Sequence, residues 1–386
     1  MNIIYLTTHI AEEDFSFLVK HCLDKPNPAG QNFHGKLIKA LSLDNRVYAY
    51  SVVPSNEELL SEVSSREEEG VSFRYFHPRR LAIIPNAITL AKAIADQVQA
   101  DFKNRKGEET VVLFDSLNIA SSRASRAVAK AMGFPRVAIC TDDPFNISLV
   151  GMTYIRQALG NAKNCDGYYC LTPDLDYLFN RYGKPSLIRL GIVKEIRRYE
   201  PLYQRPYLYY GGALFVKDGT QALVDSYLKA RPAFDLLIAG HGPYAAQLKD
   251  PALKERGILF LGQVSKEENY AYQQHASLVI NPRIYRHDLD KASVPSKNLE
   301  YLQNAEVIAS TLSTPLYEEF GADINWIASA EGKVADGLDE LFAKIGKGRS
   351  LAKLKKNTAQ QRVLSAYGIE AIGQDLTAFL SGLIHR

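Results

Sequence analysis

The sequence predicts an α/β chain made of two doubly wound, parallel-sheet halves, and three observations carry that reading. At 386 residues the chain exceeds what one hydrophobic core usually serves, so two domains of about 150–200 residues are expected. Through the first half, short apolar runs alternate with segments of helical spacing, a pattern that implies a parallel sheet. After a charged stretch from Gly191 to Pro206, interrupted by Pro201 and Pro206, the alternation starts again.

Taken in order, Ile3 to Leu6 reads as a strand, Phe33 to Leu43 as a helix, Val47 to Val53 as a strand and Ile88 to Phe102 as a helix with apolar residues at three-to-four spacing. Val111 to Phe114, Val137 to Cys140 and Tyr168 to Leu171 are further strands, each followed by polar turn residues. In the second half, Tyr207 to Tyr210 is a strand ending in Gly211-Gly212, and Thr220 to Lys229 is a helix. Phe234 to Ala239 is a strand ending in Gly240-His241-Gly242, and Ile258 to Leu261 is one ending in Gly262. Leu278 to Ile280 and Val307 to Ser310 complete the set. Two such halves are expected to face one another across a cleft, with ligands beyond the carboxyl ends of the strands.

Composition narrows the function classes. With 46% hydrophobic and 23% charged residues, neither disorder nor a fibrous repeat is indicated. A net charge of +3 argues against a dedicated nucleic-acid binder. Cys22, Cys140, Cys165 and Cys170 lack paired spacing and read as buried thiols in a reducing compartment. The opening Asn2-Ile-Ile-Tyr-Leu-Thr-Thr has no signal-peptide character, and no apolar run approaches the ~18 residues of a membrane span. A cytoplasmic protein is expected.

Glycine directly after a strand lets backbone approach a ligand and leaves the next helix free to present N–H groups to an anion. Gly211-Gly212 and Gly240-His241-Gly242 fit that use, although tight turns in any α/β protein employ glycine too. The segment Ser293-Val-Pro-Ser-Lys-Asn-Leu-Glu-Tyr-Leu302 says more. Ser296 and Lys297 precede a helix, so a hydroxyl, a positive charge and the helix dipole converge where a diphosphate would sit. Glu300 lies one turn further on the same face, placed for ribose hydroxyls. The plain alternative is a capped helix with a Lys and a Glu on its solvated face.

Pro-Ser-Lys-x-x-Glu-Tyr-Leu, preceded by Ile280-Asn-Pro-Arg283, resembles the donor-site signature of bacterial GT-B glycosyltransferases of glycosyltransferase family 4, especially those of capsule and exopolysaccharide assembly. Tyr210-Gly-Gly-Ala-Leu-Phe-Val-Lys-Asp-Gly219, Asp235-Leu-Leu-Ile-Ala-Gly-His-Gly-Pro243 and Phe260-Leu-Gly-Gln-Val264 follow in the same order. The resemblance covers about 207–327, and the first half only loosely. It implies two Rossmann-like domains: an acceptor domain over 1–198 with a C-terminal helix near 370–386 packing back on it, and a donor domain over 199–369. It further implies that Lys217 and Lys297 neutralise the donor diphosphate, with Arg283 adding a bidentate partner. Glu300 would hold the ribose, Gln263 and Val264 would meet the base, and Ser296 would meet the phosphate. Three departures stand out: Ala292 replaces the first acid of a Glu-x7-Glu pair, Ala213 replaces an arginine, and Asn304-Ala-Glu-Val307 shortens the segment after Glu300.

In the first domain, Gly30-Gln31-Asn32-Phe33 opens a helix and resembles a glycine loop that approaches the donor phosphates. Asp115, Asp142 and Asp143 each follow a strand, a place for acceptor or sugar contacts. Two adjacent carboxylates rarely complete a metal site, so Asp142 and Asp143 read as structural or acceptor-binding, and the resemblance implies that no metal or other cofactor is needed. Phe73-Arg-Tyr-Phe-His-Pro-Arg-Arg-Leu-Ala-Ile-Ile84 suits peripheral contact with the inner face of a membrane, or else a strand and loop with solvated arginines. His9 and His34 lie near strand or helix ends, with a satisfied structural role as the safer reading.

The expected activity is transfer of a sugar from a UDP- or GDP-sugar to a hydroxyl of a glycan or lipid-linked acceptor, with retained anomeric configuration implied by the resemblance. Partners are then a nucleotide-sugar and such an acceptor, without nucleic acid, and homo- or hetero-oligomers stay open. Ala213 and Ala292 motivate a second reading, a degenerate subunit supporting an active partner. A GT-B epimerase or phosphorylase is a third, for which the in-line acid and base or the cofactor lysine is not found in the sequence.

Overall fold

The structure, a computed structural model, describes residues 1–21, 28–53, 65–78, 83–105, 107–147, 150–348 and 350–385, without the side chains of 28, 29, 83, 84, 288 and 289. It divides into two compact units, one of residues 1–194 with 367–386 and one of residues 195–366.

The first unit holds strands β1 (Asn2–Thr7), β2 (Arg46–Val52), β3 (Arg66–Glu68), β4 (Val71–Phe76), β5 (Thr110–Asp115), β6 (Arg136–Cys140), β7 (Gly167–Cys170) and β8 (Ser186–Ile188). They form one sheet in the order β3-β4-β2-β1-β5-β6-β7-β8, parallel except for the β3–β4 pair. Every residue of β1, β5, β6 and β7 is buried, as befits parallel strands covered on both faces. Helix Ile369–Ile384 packs on helix Pro28–Ser42, where Gly373 faces the Ala40 carbonyl too closely for any side chain. Asn45 donates to Thr377 at 2.8 Å, and Arg189 pairs with Asp375 at 2.6 Å. Parallel pairing of Val193 with Gly368 completes the return of the chain to this unit.

The second unit holds β9 (Tyr207–Ala213), β10 (Asp235–His241), β11 (Ile258–Gly262), β12 (Leu278–Asn281), β13 (Ile308–Thr311) and β14 (Asn325–Ile327), all parallel, in the order β11-β10-β9-β12-β13-β14. The chain builds outward from β9 to β11, then returns to place β12 on the other side. The switch point therefore lies between β9 and β12, where open parallel sheets leave a crevice at the carboxyl ends. The corresponding reversal in the first unit lies between β1 and β5. Both units are thus Rossmann-like.

Sequence and structure differ in instructive places. The predicted helix at Phe33 begins at Pro28, so Gly30, Gln31 and Asn32 belong to its early turns rather than to a glycine loop. Gly211, Gly212 and Gly240 lie inside strands that run on to Ala213 and His241, not in turns after them, because neighbouring strand ends continue to pair there. Ser296 and Lys297 do not precede their helix. They are its first two residues, with Pro295 at the cap.

Candidate functional site

At the switch point of the second unit lies a pocket of about 400 Å3, floored by Gly211, Gly212, Gly240 and His241 and walled by Gln263, Val264, Lys297 and Glu300. The floor is open because it has almost no side chains. Gly240 has a φ of 142°, and a Cβ there would run into the Gly212 carbonyl on the adjacent strand. At Gly212 a Cβ would occupy the place of the Lys297 ammonium, so this glycine is what lets the lysine lie across the end of β9.

Lys297 is the central cation. Its Nζ donates to the Tyr210 hydroxyl at 3.1 Å and lies 4.7 Å from the centre of that ring, while Tyr210 itself donates to the Ala213 carbonyl at 2.6 Å. Part of the residue reaches the pocket, yet protein atoms crowd its ammonium group. Burial pushes its pKa down to about 8, against the pull of Asp218 and Glu300 and with a further push from Arg283. A cation held this way, at the first turn of a nine-residue helix, adds its charge to the positive end of the helix dipole.

The helix that carries Lys297 is anchored from beneath by buried amides. Asn298 accepts from Asn281 at 3.0 Å and donates to Ser310 at 2.9 Å; Ser310 donates to the Thr311 carbonyl at 3.0 Å. Thr311 in turn donates to the Arg283 carbonyl at 2.6 Å. This chain locks the ends of β12 and β13 to the start of the helix. On the opposite wall, Tyr209 donates to Asn269 at 2.7 Å, and helix Lys266–His275 starts with a reciprocal cap between Ser265 and Glu268.

Other residues singled out in the sequence lie elsewhere. Lys217 is exposed on a short turn, Val216–Asp218, and does not line the pocket. Arg283 also stays off the lining; its guanidinium sits 3.8 Å from the buried Asp290 carboxylate, whose pKa burial raises. Ser296, exposed, and Gly242 are adjacent to lining residues without being among them. Ala213 is in the wall, whereas Ala292 is buried. Sequence reasoning missed Tyr210, Asn269 and Asn298. Tyr210 stands one residue before the glycines, and Asn298 one residue after the lysine, but only tertiary contacts give either a role.

In the first unit, the carboxyl ends of β1 and β5 gather Tyr5, His34 and Asp115. Tyr5 shares a 2.6 Å hydrogen bond with His34 Nδ1, and His34 Nε2 is 3.6 Å from Asp115, which also accepts from Leu117 N at 2.9 Å. His9 donates from Nδ1 to the Gln31 carbonyl at 3.0 Å, and burial, then His34, pushes its pKa down to about 4. Gln31 accepts from Ile10 N at 2.9 Å and donates to Ile10 O, so its side chain ties the helix to the loop after β1. Asp142 accepts from Asp143 N at 2.8 Å, and Asp143 accepts from Phe145 N at 2.8 Å as the cap of a short turn. Among the described residues no group of three His, Cys, Asp or Glu side chains could hold a metal.

The segment expected to touch a membrane is partly internal. Phe73 is buried, Arg74 pairs with Asp101 at 2.8 Å, and Tyr75 donates to Asp14 at 2.7 Å. Its continuation through 79–82 lies outside the described residues, as does Cys22; Cys140, Cys165 and Cys170 are free and buried. Among the described residues no helix is long and apolar enough to cross a membrane.

No protein-family model and no curated protein matches the chain. Solved structures do match along nearly its whole length. Anabaena HepE, in complex with UDP and glucose, is 14% identical with a TM-score of 0.63, over 99% of this chain and 100% of that one. Sucrose-phosphate synthase from Thermosynechococcus elongatus is 12% identical with a TM-score of 0.66, over 100% and 99%. The α,α-trehalose 6-phosphate synthase of Burkholderia multivorans is 10% identical with a TM-score of 0.61, over 100% and 97%. The fold of this chain is therefore that of the GT-B glycosyltransferases.

Proposed function

We propose that the chain is a glycosyltransferase that takes a nucleoside-diphosphate sugar, of the UDP or GDP type, as donor and delivers the sugar to a hydroxyl of a glycan or lipid-linked acceptor. One observation carries the reading: the Lys297 ammonium is held across the glycine end of β9, at the first turn of a helix, inside the switch-point pocket. As the glycosidic bond breaks, its electron pair stays on the departing diphosphate, and a fixed cation aimed at that charge lowers the barrier. Glu300, one turn along, faces the same pocket and suits ribose hydroxyls; Gln263 and Val264 suit the base. The complex of HepE with UDP supports a uridine donor. In this reading Lys297 and the helix start supply the positive charge, no resident metal is called for, and the anomeric configuration is retained as the family resemblance implies.

The test is calorimetric titration with UDP and GDP, followed by a turnover screen over their sugars. Micromolar binding of one nucleotide is expected, and Lys297→Ala is expected to cut turnover by about 10²-fold or more. Near-normal turnover of that variant would remove Lys297 from the mechanism, and absence of binding to every nucleotide would overturn the reading.

A further inference from the structure

The far edge of the second unit carries a second concavity that shares no residue with the donor pocket. It has a volume of about 400 Å3 and is bounded by β14, by Tyr317 of helix Thr314–Phe320, by one face of helix Ala335–Ile345, and by the strip 353–355. Trp326, the single tryptophan of the chain, lines it together with Tyr317, which is 53% exposed. The two rings lie 5.7 Å apart at 59°. Lys344, Lys353 and Lys355 line the same concavity against one carboxylate, Glu340.

One detail distinguishes this place from a chance run of surface lysines. The Gly321 carbonyl, at the end of helix Thr314–Phe320, accepts from both Trp326 Nε1 at 3.3 Å and Lys355 Nζ at 3.1 Å. Indole and ammonium are thereby fixed side by side, and the helix C-terminus favours the cation there. Asn325 reinforces the arrangement, because it accepts from Lys355 N at 2.8 Å and donates to Lys355 O at 3.0 Å. A half-open aromatic surface beside three lysines suits an amphipathic occupant, with a flat C–H face for a ring and an anion for the ammonium groups.

We propose that this concavity is a binding site for an acidic saccharide, in which a sugar ring lies on Trp326 with the inclined Tyr317 ring at its edge, and its carboxylate meets Lys353, Lys355 and Lys344. The site stands apart from the donor pocket and does not rest on the reading of that pocket.

Because Trp326 is the only tryptophan among 22 tyrosines, emission excited selectively in the indole reports on the surroundings of this residue. The full chain is titrated with oligogalacturonate, with neutral maltohexaose of similar length, with inorganic phosphate and with anionic phosphatidylserine vesicles. A saturable change with oligogalacturonate alone is expected, weakened about tenfold or more in Lys353→Ala/Lys355→Ala by loss of charge-assisted contacts. Lys297→Ala should leave it unchanged, which separates this site from the donor site. Trp326→Phe, followed by calorimetry, should weaken binding while circular dichroism stays that of the parent. No response to oligogalacturonate, an equal response to maltohexaose, a response to phosphate or vesicles alone, or full binding in the double-lysine variant would overturn the proposal.

Discussion

Proton uptake on nucleotide binding offers the sharpest test of the lysine at the centre of the donor pocket. The perturbation is pH, applied to the free protein and to its complex with UDP. Burial holds the Lys297 pKa at about 8, so at pH 9 only ~10% of the free protein carries that proton, while at pH 7 ~90% does. A diphosphate beside the ammonium favours the charged form and draws its pKa back toward the ordinary 10.5. The second ionisation of a phosphate lies near ~6, so the ligand is fully charged at pH 9 and ~90% so at pH 7, where the proton it loses on binding can only lower the net uptake and widen the difference. Binding should therefore take up ~0.9 proton at pH 9 and at most ~0.1 at pH 7. Calorimetry in buffers of different ionisation enthalpy measures this directly. Uptake that is the same at both pH values, or that persists in Lys297→Met, would refute the assignment.

The same lysine makes a stability prediction. Its folded-state pKa lies below the unfolded value, so between about 8 and 10.5 the unfolded chain binds more protons and stability rises with pH. Below that window the buried charge costs at most about 3 kcal/mol, and Lys297→Met should stabilise the unliganded protein at pH 7 by up to that amount in urea unfolding, with the gain fading toward pH 10.5. Gly212→Ala should keep the fold, since only the tip of Lys297 stands in the way, yet lower UDP affinity about tenfold or more and reduce the uptake at pH 9; affinity equal to the parent would refute the steric argument. Glu300→Gln should weaken UDP about tenfold and 2′-deoxy-UDP much less, and equal losses for the two would take Glu300 off the ribose. Asn298→Leu leaves the Asn281 amide without its acceptor in a buried site and should cost about 2–4 kcal/mol by urea unfolding.

Much of the fold was legible because parallel sheets buried on both faces leave a strong local trace. β5, β6, β10 and β12 coincide with short apolar runs, and helix Thr220–Ala230 matches its predicted span to within a residue. Less legible were β3 and β4, whose mixed Arg-Glu-Glu and Val-Ser-Phe-Arg-Tyr-Phe runs are half-exposed at the edge of the sheet, and helix Glu12–His21, which follows β1 without a clear start signal. Helix Pro28–Ser42 began five residues before its apolar periodicity did, because proline at a first helical position costs nothing there.

By itself the sequence determined that there are two α/β halves, where most strands run, and that glycine-ended strands keep company with a lysine and a glutamate at helical spacing. Those are local properties, set by side-chain period and backbone freedom. Tertiary structure alone decided which charges converge. It put Lys297 against Tyr210 and over Gly212, residues about ninety positions away in the chain, and it left Lys217 exposed and Arg283 beside Asp290. The physical reason is that a pKa and a pocket depend on what surrounds a group within a few ångströms, and in a parallel sheet those neighbours come from strands that crossover helices keep far apart in sequence.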